Sequence, residues 1–200
     1  MPGARFSQAE RVALRTVEIE DAPFLQDHAN DPAIRLPMTF TGPTSLDEQE
    51  EYIEEDEDVA AFLVSVAGEE TGYNPEYVTD GNPPIEPVGF ISLFDIDEAA
   101  GSGVIAYWIT PPAQKQGYMT EATSLLLDYA FGQRRLHRVV ARALEDNRGS
   151  RALLEALGFT REGIERDAKY VRVEYRDVVR FSMLAPEWRV SEPPAEGQQS

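Results

Sequence analysis

The chain has no cysteine, two histidines (His28 and His137) and two lysines (Lys115 and Lys169) in 200 residues. Without cysteine there is no disulfide framework, no thiolate metal site and no cysteine nucleophile. Two histidines far apart in sequence argue against a histidine-based zinc site, so no metal is expected. Long apolar runs are missing too. Nothing approaches the roughly 18 residues that a membrane-spanning helix needs, and the opening MPGARFSQAE lacks the apolar core of a signal peptide. The expectation is a soluble, cytoplasmic protein with no membrane partner.

Negative charge is abundant. Asp and Glu number 36 against 18 Lys and Arg, for a formal net charge of -18. General nucleic-acid binding is excluded by such a surface, because phosphate contacts need basic patches. Many carboxylates, many arginines and almost no lysine match the surfaces of halophile cytoplasmic proteins. In molar salt the Debye length is about 3 Å and carboxylate repulsion is screened. A hydrophobic fraction of 42% supports a sizeable core. The length fits one domain, expected over residues 1–190, with 68–87 as a loop insertion and 191–200 as a disordered tail.

The elements follow from periodicity and punctuation. Residues 12–19 alternate apolar and polar and read as a strand. A helix over 20–30 buries Ala22, Leu25 and Ala29 and ends before Pro32. Residues 36–44 are rich in turn formers and read as an irregular loop. Ser45, with Glu48 three residues on, caps a second helix whose acidic run is a solvated face or a rim attracting a cationic amine. Strands are expected at 60–67, 88–96 and 104–109, an antiparallel meander that becomes parallel only with the strand at 138–144. A helix over 148–157 has Asn147 as its cap and Gly158 as its left-handed stop. Residues 164–173 and 175–184 form a closing hairpin. His28 reads as a surface or partly packed residue and His137 as structural.

The stretch WITPPAQKQGYMTEATSLLLDYAF, from Trp108 to Phe131, organises the rest. A strand ends at Ile109, a turn follows, and Ala122, Leu125, Leu126, Tyr129 and Ala130 recur on one helical face. The turn presents backbone N–H groups at the positive end of a helix, a site suited to phosphate or pyrophosphate. Gly117 lets the backbone approach such an anion closely. Whether the Met119 side chain points toward that bed or away from it is open at this level.

The order of elements, the run Gln114-Lys115-Gln116-Gly117-Tyr118-Met119-Thr120-Glu121-Ala122, the triplet Tyr107-Trp108-Ile109, Leu136-His137-Arg138-Val139, and Asn147 to Ser150 with Leu157-Gly158-Phe159 resemble the GCN5-related N-acetyltransferase superfamily. The likeness is greatest to its ribosomal-protein alanine acetyltransferase branch and covers residues 10–188. It implies an α/β (α+β) fold with a mixed, mostly antiparallel sheet of about seven strands and about four helices, two parallel strands splaying to form an acetyl-CoA cleft. By the same resemblance, Gln114, Lys115, Gln116, Gly117, Tyr118, Met119 and Thr120 would wrap the pyrophosphate. Trp108, Ile109 and Thr110 would pair with the pantetheine arm, and Asn147 would bond it from the far side. Lys115, Arg148 and Arg151 supply positive charge for the phosphates.

The implied reaction is direct attack of a neutral amine on a thioester. It needs a proton acceptor, a donor to the developing oxyanion and a donor to the departing thiolate. Backbone N–H near Ile109 serves the second need. For the third, the tyrosine that many superfamily members carry is replaced by Leu154, and the likeness to the ribosomal-protein branch implies Ser150 as the catalytic candidate, the other reading of Ser150 being a first-turn serine bonded to backbone. The base is missing from its usual places: Val104 and Ile105 occupy one and Lys169 the other. A water chain to Asp95, Asp97 or Glu174 is the remaining route. Tyr107 and Trp108 alternate, so one faces the core and the other the cleft. The expected partners are acetyl-CoA and an amine acceptor, led by a protein or peptide N-terminus, with the chain a monomer or homodimer. A small amine such as a polyamine or aminoglycoside, and a non-catalytic acyl-CoA-binding module, are the alternatives. If the halophile reading holds, the thermal midpoint rises between dilute buffer and molar KCl in a melting series, and a flat midpoint refutes it.

Overall fold

The computed structural model describes residues 3–55, 59–67 and 85–188. Most of the proposed insertion, residues 68–84, and the tail at 191–200 lie outside the described residues. Eight strands form one sheet: β1 (Arg5–Gln8), β2 (Val12–Thr16), β3 (Ala60–Ala67), β4 (Ile85–Asp97), β5 (Ser102–Ile109), β6 (Arg138–Leu144), β7 (Thr160–Val171) and β8 (Glu174–Leu184). Five α-helices accompany them among the described residues: α1 (Ala22–Asn30), α2 (Pro32–Met38), α3 (Leu46–Glu55), α4 (Tyr118–Asp128) and α5 (Arg148–Ala156). None is long and apolar enough to cross a membrane.

The sheet order is β1-β2-β3-β4-β5-β6-β8-β7. Every neighbouring pair is antiparallel except β5 and β6, which run parallel as the crossover through α4 requires. Alternation along the strands divides the core in two. Phe62, Val64, Ile91, Leu93 and Ile105 join Met119, Ala122, Leu126 and Ala130 of the α4 segment on one face. Leu63, Phe90 and Trp108 join Phe24, Leu25 and Ile34 of α1 and α2 on the other. Leu125 and Tyr129, expected on the buried face of α4, are partly buried at its margin.

Local signals account for most boundaries. The Ser45 hydroxyl accepts from the Glu48 N–H at 3.2 Å, and Glu48 accepts from the Ser45 N–H at 2.8 Å, the reciprocal capping pair expected for α3. Asn147 caps α5 by accepting from the Ser150 N–H at 3.1 Å, and Gly158 follows the helix with φ +90°. Three expectations need correction. β1 was unforeseen and brings the sheet to eight strands, with five α-helices beside it among the described residues. The first strand stops at Thr16 rather than residue 19, because Glu18 caps a short 3-10 turn, Ile19–Asp21. The loop expected over 36–44 begins only after α2. Asp31 accepts from the Ala33 N–H at 2.8 Å, Pro32 suits the first helical position, and buried Ile34 draws the segment onto the sheet.

Asp21 is 1% exposed and accepts from the Glu18 N–H at 2.9 Å. Burial pushes its carboxyl up from the ordinary value to about 6, with the Glu18 N–H partly opposing the shift. Because the folded state then holds the proton more tightly than the unfolded chain, this group favours folding below about pH 4. That contribution is lost as pH rises through about 6. Asp21→Asn keeps the acceptor and removes the titration. The difference in thermal midpoint between wild type and variant should change over pH 4–7 in favour of the variant at the upper end, by an amount equivalent to about 1–3 kcal/mol.

Candidate active site

The two parallel strands pair over only four positions, from Ser102 opposite Arg138 to Ile105 opposite Ala141. Past this point β5 continues to Ile109 and β6 to Leu144 without pairing each other, so a fork opens between them. Backbone parity decides what faces it. Thr110 donates its N–H to the Val88 carbonyl at 2.8 Å, and Gly89 stands opposite Ile109. The backbone groups of Thr110, Trp108 and Ala106 therefore face β4, and those of Ile109 and Tyr107 face the fork. Of the three residues expected to pair with a pantetheine arm, Ile109 alone turns its backbone to the opening. Thr110 contributes differently: its hydroxyl is buried at the end of β5 and has no hydrogen-bond partner among the described residues.

Beyond the fork lies the expected anion turn. Gln114, Lys115, Gln116 and Gly117 are exposed. Lys115 (φ +63°) and Gly117 (φ +83°) both have left-handed backbone. Lys115 holds this geometry at a cost of about 1 kcal/mol or more for a non-glycine residue. The N–H groups of Thr120 and Glu121 both reach the Gly117 carbonyl, at 3.1 and 3.2 Å, so the helical ladder begins there. Tyr118 and Met119 are buried. Met119 points inward against β4: a methyl built on Gly89 would stand 3.2 Å from its Cε and 2.4 Å from the Trp108 carbonyl. The outer surface of the turn is left to the backbone. Acetyl-CoA fits this ensemble: an apolar fork with free strand edge, a buried hydroxyl with no partner among the described residues, and an exposed left-handed turn carrying a lysine.

Sequence reasoning missed Arg11, in the β1–β2 connection. Its Nε donates to Glu121 at 2.7 Å, its Nη2 also pairs with Glu121, and its Nη1 donates to the Gln116 carbonyl at 3.0 Å. The guanidinium lies 5.1 Å from the centre of the Tyr118 ring. Arg11 thereby fastens the anion turn to the first turn of α4. The two residues lie 110 positions apart, so no local signal pointed to the contact.

On the opposite side of the fork, Asn147 Oδ1 is taken up by the α5 cap, leaving its NH2 group to donate outward. Arg148 is exposed, whereas Arg151 donates from Nη1 to the Glu145 carbonyl at 2.8 Å and braces the loop before α5. Ser150 Oγ lies 2.8 Å from the Tyr107 hydroxyl. Burial pushes the Tyr107 phenol up to about 12, with the Ser150 bond partly opposing it, so it stays protonated at working pH. Leu154 is fully buried one turn further along α5.

On the other face of the sheet a cleft of about 620 Å³ opens under α1, α2 and α3. Phe90, Phe94, Trp108 and Tyr52 line it with two carboxylates, Glu48 and Asp95. Trp108 is fixed there by His28 (ring centres 5.1 Å apart, stacked), Phe24 (5.6 Å) and Phe90 (6.1 Å), which gives His28 its structural role. Tyr107 faces α5 and Trp108 the cleft, so β5 is the wall common to both. Asp95 sits with φ +48° beside an irregularity in the β4–β5 register. Of the three carboxylates considered as routes for a proton, it alone lines the cleft: Asp97 accepts from the Ala100 N–H at 2.8 Å, and Glu174 is ion-paired with Arg176. No cluster of three or more metal-ligating side chains occurs among the described residues.

Comparison with known proteins bears on the family and the fold. Residues 11–160 match the family described as "Acetyltransferase (GNAT) domain". The uncharacterized N-acetyltransferase p20 of Bacillus licheniformis is 30% identical over 183 residues, covering 90% of this chain and 96% of that protein. The putative ribosomal N-acetyltransferase YdaF of Bacillus subtilis is 39% identical over 100 residues, and the match covers 50% of this chain and 55% of that protein. Among solved structures, a spermidine N-acetyltransferase from Vibrio cholerae in complex with CoA and spermine superposes with a TM-score of 0.77 at 24% identity, covering 90% of this chain and 98% of the other. That last likeness is one of fold.

Removing the Arg11 clamp isolates its effect on the turn. Arg11→Ala should weaken CoA binding several-fold in calorimetric titration while the thermal midpoint moves little, since the ion pair is surface-exposed.

Proposed function

The chain belongs to the GNAT acetyltransferase family, and from that premise we propose that it acetylates the N-terminal α-amino group of a protein or peptide, by direct attack, within one domain spanning residues 1–190. Acetyl-CoA, when bound, supplies the thioester carbonyl. The backbone N–H groups of Lys115, Gln116, Gly117, Tyr118 and Met119 would hold the pyrophosphate, those of Gln114 and Thr120 being taken by the Pro111 and Gly117 carbonyls, with Lys115 and Arg148 adding positive charge. Ile109 and the NH2 group of Asn147 would hold the pantetheine arm from opposite sides of the fork, with the Thr110 hydroxyl near its end. Ile109 N–H is the oxyanion donor in this reading, and Ser150 is the hydroxyl donor to the departing sulfur. Asp95 takes the amine's proton through water. Holding the two reactants together supplies much of the rate without a strong base.

The acceptor assignment rests on one observation, the composition of the cleft. Its volume lies within the roughly 300–1,000 Å³ usual for specific ligand sites. Its aromatic and aliphatic lining suits the apolar side chain of a first residue, while Glu48 and Asp95 suit the ammonium form in which an α-amine arrives. The likeness to a putative ribosomal N-acetyltransferase points the same way. The same carboxylates, with the acidic first turn of α3 (Asp47 and Glu48), favour polyamines as a second reading.

Free CoA release with acetyl-CoA and a panel of peptides and amines, run at high salt, tests the proposal. Peptides with an apolar first residue should outrun spermidine in kcat/KM, and Asp95→Asn should lower kcat by about 10²-fold, the low end for proton-transfer residues. Faster turnover of spermidine than of any peptide would replace the N-terminal reading with the polyamine one. CoA binding without release to any acceptor would leave a binding module.

A further inference from the structure

Tyr107 has no role in the scheme above, yet it is placed where that scheme is weakest. Leu154, one turn along α5 from Ser150, is sealed in the core at 0% exposure and has no proton to donate, so Ser150 carries the donor role by itself from that helix. Tyr107 comes from the opposite wall. Its backbone belongs to the part of β5 that no longer pairs with β6, and its side chain reaches across to the first turn of α5. The hydroxyl lies 2.8 Å from Ser150 Oγ and 3.5 Å from the Ser150 carbonyl.

We propose that Tyr107 is a positioning residue that acts through Ser150: its O–H donates to Ser150 Oγ, so that the serine's own proton is turned away from Tyr107 and into the fork. A hydroxyl oxygen that accepts one hydrogen bond keeps its single proton to donate in another direction. The Ser150 N–H is engaged by Asn147 Oδ1, which fixes the serine backbone, so the side-chain torsion is the remaining freedom and the Tyr107 bond selects it. Ser150 is also the third residue of α5, where the N-terminal end of the helix dipole favours developing negative charge. Donation along the chain Tyr107 to Ser150 polarises both bonds in the same sense.

Neither hydroxyl dissociates in this arrangement. The Tyr107 phenol is pushed up to about 12 and a serine hydroxyl is weaker still as an acid, so both protons stay in place and the pair stabilises sulfur as a hydrogen-bond donor. In the transfer itself the N–C bond forms and the C–S bond breaks, with the electron pair of the latter going to sulfur. The proton lost by the amine leaves through the cleft on the other face.

This inference rests on the acetyltransferase reading and on Ser150 being the donor to sulfur. Tyr107→Phe preserves the ring and removes the hydroxyl. It should lower kcat about ten-fold, the value of one hydrogen bond, with the KM for acetyl-CoA unchanged. Added to Ser150→Ala it should cost nothing further, because the two act as a unit. A readout independent of turnover is the thiol pKa of bound CoA, followed by thiolate absorbance. It should be depressed in the wild type and return toward the free value in Tyr107→Phe and in Ser150→Ala, with CoA affinity and thermal midpoint as folding controls. An unchanged kcat in Tyr107→Phe, additive losses in the double variant, or the same bound-thiol pKa in all three proteins would overturn the proposal while leaving the acetyltransferase reading intact. A folded wild type that binds no CoA would overturn both.

Discussion

The early end of the β5–β6 ladder is the constraint on which the site depends. Four paired positions hold the parallel strands together, and beyond them each strand keeps only its outer neighbour. β5 stays paired with β4 as far as Gly89 opposite Ile109, and β6 with β8 over all seven of its residues, from Arg138 to Leu144. The divergence therefore costs the sheet none of its integrity. Its cost is local: the backbone groups of Tyr107 and Ile109 lose a ladder partner in a largely apolar setting, where an unpaired peptide group is unfavourable. A ligand with its own amide groups can replace that partner, which is the physical argument for the fork as the place the proposed cofactor arm would lie.

Everything else is arranged about the two faces of β5. Strand alternation sends Tyr107 toward α5 and Trp108 toward α1, so one strand borders the fork on one side and lines the cleft on the other. Charge follows the same division. In a protein with a net charge of -18, Lys115 stands at the turn, where the Arg11 charge is balanced by Glu121, whereas Glu48 and Asp95 border the cleft.

Much of the fold was legible locally. β3 and β6 fall on the residues expected, because continuous β-branched and apolar runs bounded by breakers have one good solution. α3 and α5 begin where Ser45 and Asn147 can cap them. The segment at 32–38 misled, because its two prolines suggest a loop unless one knows that Ile34 will be buried against Leu63, Phe90 and Trp108. Thr16 ended β2 early for a similar reason: the Glu18–Asp21 turn is stabilised by a carboxylate whose burial depends on what packs over it.

The sequence by itself determined most of the elements from α3 onward and the family resemblance, which rest on interactions within a few residues along the chain. Tertiary structure decided the rest. It joined Arg11 to Glu121, turned Met119 into the core, assigned Trp108 to the cleft and Tyr107 to Ser150, and separated Asp95 from Asp97 and Glu174. Each of these is a contact between distant segments or a choice between the two sides of a strand. Period and propensity leave such choices open until the sheet has its partners, since a strand's alternation says which residues share a face but not which helix will cover it.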